Sequence, residues 1–220
     1  MSTFANSPRL LKGGIVLIDP TTSVVERIVT LQYNPDTLSR SLQIRSVHSG
    51  EGGDRSEALR LTGPPVETIK LEAEIDATDQ LEFPEQNKTV AQLGLHAHLA
   101  ALETIVYPTT NQILANQRLA QSGTLEITPM ETPLALFVWS KNRVMPVRLT
   151  DFSITEEAFD PALNPIRAKV SLGMRVLSVN DLDFDHKGTS IYLAYQQQKE
   201  RLAALYQGGP LSGLGINRIP

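Results

Sequence analysis

The chain has 220 residues, with 20 Lys and Arg against 24 Asp and Glu, a formal net charge of -4. That balance argues against a general nucleic-acid binder, and one Trp leaves no stacking platform for single strands. Cysteine is absent, which excludes disulfides and thiolate chemistry, and no apolar run approaches the roughly 18 residues of a membrane helix. The opening Met1 to Pro8 lacks the basic-then-apolar order of an export signal, so no cleaved leader is expected.

Gly14–Ile18 and Val24–Tyr33 read as two strands joined across Asp19-Pro20-Thr21-Thr22, where Pro fixes φ and Asp accepts a local backbone bond. Asn34-Pro35-Asp36 stops the second strand, and Leu38, Leu42, Ile44 and Val47 continue in extended form. From Ser46 to Pro65 the composition turns to Gly, Ser, Asp, Glu and Arg, which predicts a long mobile loop. Its glycines lack the spacing of a phosphate-binding loop. A period of two follows: Ile69, Leu71, Ala73 and Ile75 against Lys70, Glu72, Glu74 and Asp76, a strand with one wet face.

A polar turn, Asp76–Asn87, leads into a helix expected from Thr89 to Val106, ended by Pro108. Thr110–Thr124 is a weaker helical stretch. Leu134–Trp139 and Val144–Ile154 flank Ser140-Lys141-Asn142-Arg143, a hairpin turn in which Asn142 tolerates a positive φ. Phe137 and Trp139 share a face, read as core or interface. After Asp160-Pro161-Ala162-Leu163-Asn164-Pro165 the pattern is strongly two-fold from Ile166 to Val176, and the strand expected to Val179 is longer than average. A last helix is expected from Thr189 or Ser190 to Tyr206, followed by a Gly-rich tail. The sum is mainly β (α+β), with one internal helix and a C-terminal helical extension.

No catalytic machine emerges, and the chain is read as a non-enzyme with no cofactor and no metal. His96 and His98 lie two apart on a helix and point about 200° apart, so they do not converge on an ion. The Asp181, Asp183 and Asp185 run lacks the glycine and closing Glu of a calcium loop, and Glu156-Glu157 reads as wet surface. Ser212 before Gly213 is not in a strand-to-helix elbow. Charge on the strands is more informative. Arg167, Lys169 and Arg175 share the polar face of the last strand, and Glu72 and Glu74 offer opposite charge for pairing within or between subunits. Leu202, Leu205 and Tyr206 give the last helix a contact surface. These eight residues are the candidate assembly interface.

Four segments in order carry a resemblance. They are Leu31-Gln32-Tyr33-Asn34-Pro35-Asp36-Thr37-Leu38, the Gly63-Pro64-Pro65-led strand to Asp76, Pro133–Ser140, and Asp151–Val170 with its Phe159-Asp160-Pro161 turn. Over Leu11–Val179 the chain resembles the N-terminal domain of contractile injection system tube-like adaptor proteins, whose longer members often carry a LysM module. The resemblance implies a phage tail-tube-like β-sandwich or barrel, a domain at 11–179 with its mobile loop 46–65, and a docking tail at 180–220. It implies a structural adaptor that joins inner tube or baseplate to the central spike hub.

The partners so implied are further copies of the chain in a six-fold ring, the inner tube, the spike hub and baseplate wedge proteins, with no nucleic acid. The long Ile166–Val179 strand becomes a sheet edge completed by the next subunit. No LysM module follows, and removal of everything after Val179 is expected to preserve the core but weaken assembly. The implied setting is cytoplasmic assembly within a phage-tail-like particle, with release or membrane attachment through other components left open. The alternative is a free-standing β-rich binding or assembly module.

Overall fold

The computed structural model describes residues 11–46, 60–122 and 132–219. Seven strands form one antiparallel sheet in the order β2-β1-β5-β6-β7-β4-β3. They are β1 (Gly14–Ile18), β2 (Val25–Thr30), β3 (Leu38–Gln43), β4 (Val66–Asp76), β5 (Leu134–Ser140), β6 (Arg143–Phe159) and β7 (Pro165–Val176). Five helices accompany them: α1 (Thr78–Leu81), α2 (Lys88–Leu93), α3 (His96–Glu103), α4 (Thr110–Gln121) and α5 (Lys187–Ala204). The fold is mixed α+β, but among the described residues it is neither a barrel nor a two-sheet sandwich. β2 and β3 end a single open sheet.

Burial explains why some strands alternate and others do not. On β4 the residues Ile69, Leu71, Ala73 and Ile75 are buried, while Lys70, Glu72 and Glu74 are exposed. β5 is covered on both faces: Ala135 and Phe137 join the main core, and Leu134 and Leu136 join a smaller cluster with Ile18. A strand buried on both sides reads as a continuous apolar run, as Leu134–Val138 does. The Phe137 and Trp139 rings stack with centroids 5.9 Å apart.

The link from β2 to β3 crosses from one end of the sheet to the other, and its polar residues tie it down. Leu31 is buried in the core. Asn34 accepts from the Gly13 N–H at 2.9 Å and donates to the Leu11 carbonyl at 2.7 Å. Gln32 reaches the backbone of Asp76 at the end of β4. The base of the following loop is closed by a bridge between Ser46 and Leu61, while residues 47–59 of the expected mobile loop lie outside the described residues.

The expected helix from Thr89 to Val106 is two helices. Gly94 has φ 54°, and a Cβ there would stand 2.5 Å from the Pro165 carbonyl oxygen. The next N–H, of Leu95, donates to that same oxygen at 2.8 Å. The chain therefore turns to dock on the start of β7, which only glycine permits without strain. α3 then buries Leu99 and Leu102 against the sheet. α4 is a full helix opened by a capping box between Thr109 and Gln112, and α1 occupies part of the expected polar turn. Among the described residues four internal helices thus replace the expected one.

Three further expectations change. β7 is no edge, because β6 and β4 pair with its two sides. Its Arg and Lys face draws acidic neighbours from both, Glu157 from β6 and Asp76 from β4. Asn142 is not among the positive-φ residues, which are Ser23, Ala158 and Leu163 apart from glycines. α5 is capped by His186, whose Nδ1 accepts the Gly188 N–H at 3.0 Å, rather than by Thr189 or Ser190. Thr189 is buried and donates instead to the Asp183 carbonyl.

Candidate assembly interface

The exposed face of β6, β7 and β4 is a ladder of charge. In register, Arg167 lies between Glu157 and Asp76, and Lys169 lies between Thr155 and Glu74. Arg167 Nε donates to Asp76 Oδ2 at 2.8 Å, and Lys169 Nζ pairs with Glu157 at 3.2 Å. Their pKa values are raised, by the bond to Asp76 for Arg167 and by the bond to Glu157 for Lys169. Arg175 pairs with Asp181 in the segment after β7. Burial pushes the Asp181 carboxyl up, yet the Ser178 amide and hydroxyl bonds and Arg175 outweigh it and hold it low. Glu72 faces Ser171, Glu74 faces Lys169, and both are exposed. The three cations are therefore partnered inside the subunit, leaving a charged and self-compensated face.

The two ends of the sheet are different in kind. β2 leaves Val25 and Ile28 exposed, and β3 with its extension leaves Leu42 and Ile44 exposed. Each is six residues long and pairs on one side only among the described residues. An exposed strand edge with apolar side chains is a template for another strand.

Behind β3 and β4 lies a group that the period-two pattern conceals. Glu67 has the same parity on β4 as Ile69, so it faces the core and is only 4% exposed. Its Oε1 accepts from Arg40 Nε at 2.8 Å and from Tyr195 Oη at 3.1 Å, and its Oε2 accepts from Lys199 Nζ at 3.2 Å. Arg40 on β3 also donates to the Tyr195 hydroxyl at 3.0 Å, and the Lys199 ammonium lies 4.1 Å from the Tyr195 ring centroid. Burial pushes Glu67 up, but Arg40 and Lys199 prevail and its pKa is lowered. Burial first, then the Glu67 charge, push Tyr195 up to about 12. Two signals could have found this knot: the parity of Glu67, and the Tyr192, Tyr195, Lys199 spacing along one helical face.

Tyr192 and Tyr195 belong to the main core. A cut at Val179 therefore removes core residues and strips Glu67 of two partners, contrary to expectation. From Arg201 on the described chain is exposed: Leu202 at the end of α5 stands out with Leu205 and Tyr206, as do Leu211, Leu214, Ile216 and Ile219 around a 3-10 turn at Leu211–Leu214. Among the described residues no cluster of three His, Cys, Asp or Glu could hold a metal ion. No helix among them is long and apolar enough to cross a membrane.

The family described as contractile injection system tube protein matches residues 18–181, three quarters of the chain. The chain belongs to this family. It is thus a structural component of a contractile, phage-tail-like injection system. Two solved structures are faintly similar: the "Tail of empty GTA particle computed with helical refinement, C6 symmetry", at 12% identity and TM-score 0.28, and the "Virion of native gene transfer agent (GTA) particle", at 11% and 0.27. The first covers 75% of this chain and 90% of the other, the second 74% and 90%. Likenesses this slight carry no assembly detail. No curated protein is similar. Within this tube protein the matched span holds Arg40 and Glu67, whereas Tyr195 and Lys199 lie on α5 beyond it.

Proposed function

We propose that this tube-family chain is an adaptor that builds a ring by joining sheet edges and connects the inner tube or baseplate to the central spike hub. The observation that carries the reading is the open sheet, whose two terminal strands each have a free side among the described residues. β2 of one copy and β3 of the next are different surfaces, so the contact is heterologous and repeats around an axis, with six copies as the expected closure. Residues 11–179 are the ring-building part in this reading, and 180–220 carry the exposed apolar tail to a hub or wedge protein. Glu72, Glu74, Arg167, Lys169 and Arg175 give the ring a charged wall that sets orientation against its neighbours. The particle assembles in the cytoplasm.

Electron microscopy and light scattering of the full chain, alone and with the remaining particle proteins, test this. Rings are expected from the native chain. Ile28→Lys and Leu42→Lys each place a charge at an edge and are expected to leave monomers with unchanged circular dichroism. Rings formed equally well by both variants would defeat the reading, as would a native chain that stays monomeric in every mixture.

A further inference from the structure

Arg40 stands at a junction. Its backbone belongs to β3, an end strand paired with β4 alone among the described residues. Its guanidinium bonds Glu67 of β4 and the hydroxyl of Tyr195 on α5. Fraying of β3 withdraws that guanidinium and leaves the carboxylate of Glu67, 4% exposed, with Lys199 as its one remaining cation. An under-compensated buried carboxylate is strongly unfavourable, so the opening of β3 and the loosening of α5 share one cost. α5 carries the exposed Leu202 in its last turn and continues directly into the exposed Leu205 and Tyr206, so whatever fixes the helix also fixes the pose of that apolar arm.

We propose that Arg40 is a positioning residue through which strand pairing at the β3 edge sets the docking of α5, so that the C-terminal arm is held in a fixed pose once a second copy has added to that edge. The inference rests on the edge-pairing reading and deepens it, because it gives assembly an order. The ring closes first, and only a subunit within a ring presents its arm rigidly. Linkage makes the effect reciprocal: a partner that captures the arm favours addition at β3 by the same factor.

Hydrogen exchange of the full chain, as monomer and within rings, reads both ends of the coupling. Assembly is expected to slow β3 amides and, with them, the amides of α5 around Tyr195 and Lys199 by roughly tenfold, the scale of a modest coupling. The double variant Tyr195→Phe, Lys199→Met keeps the Arg40–Glu67 pair and is expected to show slowed β3 amides with α5 unchanged. Slowed β3 amides without any change in α5 of the native chain overturn the coupling and leave edge pairing intact. Rings whose β3 amides are not slowed overturn both. Equal slowing of α5 in native and variant rings means that a neighbour covers the helix directly, which also overturns the proposal. Should the double variant fail to fold, Tyr195→Phe alone, which removes the Arg40–Tyr195 bond, takes its place in that comparison with the same outcomes.

Discussion

The side chain of Gln32 pairs with the backbone of Asp76 as a neighbouring strand would, Nε2 donating to the carbonyl at 2.6 Å and Oε1 accepting the N–H at 2.9 Å. The contact joins the crossing segment after β2 to the far end of β4, elements that share no strand pairing. It also gives a purpose to one of the motifs by which the chain resembles its family: the motif is a clamp across the sheet.

Gln32→Ala leaves two backbone groups of Asp76 without their partner. The expected cost is about 1–3 kcal/mol, read as a lower urea midpoint at unchanged slope. A melting point within a degree of native would count against the clamp, since each kcal/mol is worth about 2–4 °C at this size.

Gly94→Ala tests the docking of the α2–α3 joint on β7. A Cβ at φ 54° meets the Pro165 oxygen at 2.5 Å, so backbone strain and a clash act together. The expected loss is at least about 2 kcal/mol. Gly209→Ala is the matched control, with nothing within 4 Å of its added Cβ and an expected change within about 0.5 kcal/mol.

How much of this was legible depends on how each residue is buried. β4 showed itself because one face is wet and the other dry, whereas β6 was read as ending at Ile154 although it runs to Phe159. A register shift between Leu149 and Asp151 moves the core-facing positions from odd to even numbers, so Val147 and Leu149 are followed by Phe152 and Ile154. Strand character stays legible through that shift and fades only after Ile154, because Thr155, Glu156, Ala158 and Phe159 are exposed and no buried apolar position marks the end of the strand. The charged face of Arg167 and Lys169 was visible because alternation is a local property. Glu67 was not, because its partners lie 27, 128 and 132 residues away in sequence.

Arg167→Ala separates folding from assembly. Arg167 is half exposed, so loss of its bond to Asp76 is expected to leave thermal stability close to native. Asp76 keeps its lowered pKa through its bonds to Thr78, which outweigh the arginine. Incorporation into rings or particles is expected to fall, more steeply at low salt where wall charges act over longer range. Native incorporation at every salt concentration would remove Arg167 from the interface and leave it as a solvated surface charge.

The Glu67 knot predicts a stability plateau with a leg at each end. Glu67 has a folded pKa below its ordinary 4.5, so its contribution is complete above that value and is lost as pH falls through the folded one. Tyr195 has a folded pKa raised from 10.0 to about 12, so its contribution is complete below 10.0 and is lost as pH rises toward 12. Phenolate absorbance is expected to show one of the five tyrosines titrating near 12. Tyr195→Phe should abolish that step and reduce the alkaline leg, to which Tyr192 still contributes through its own raised pKa. Glu67→Gln should soften the acid leg, where Asp181 still contributes through its own lowered pKa. Glu67→Gln should also bring the Tyr195 step down, because the carboxylate charge is one of the two main causes that raise it. Tyr192 is raised too, by burial first and then by Glu67 and Asp181, so a second high tyrosine remains in Tyr195→Phe. An unchanged number of high-pH tyrosines in that variant would place the step near 12 elsewhere and count against the Tyr195 knot.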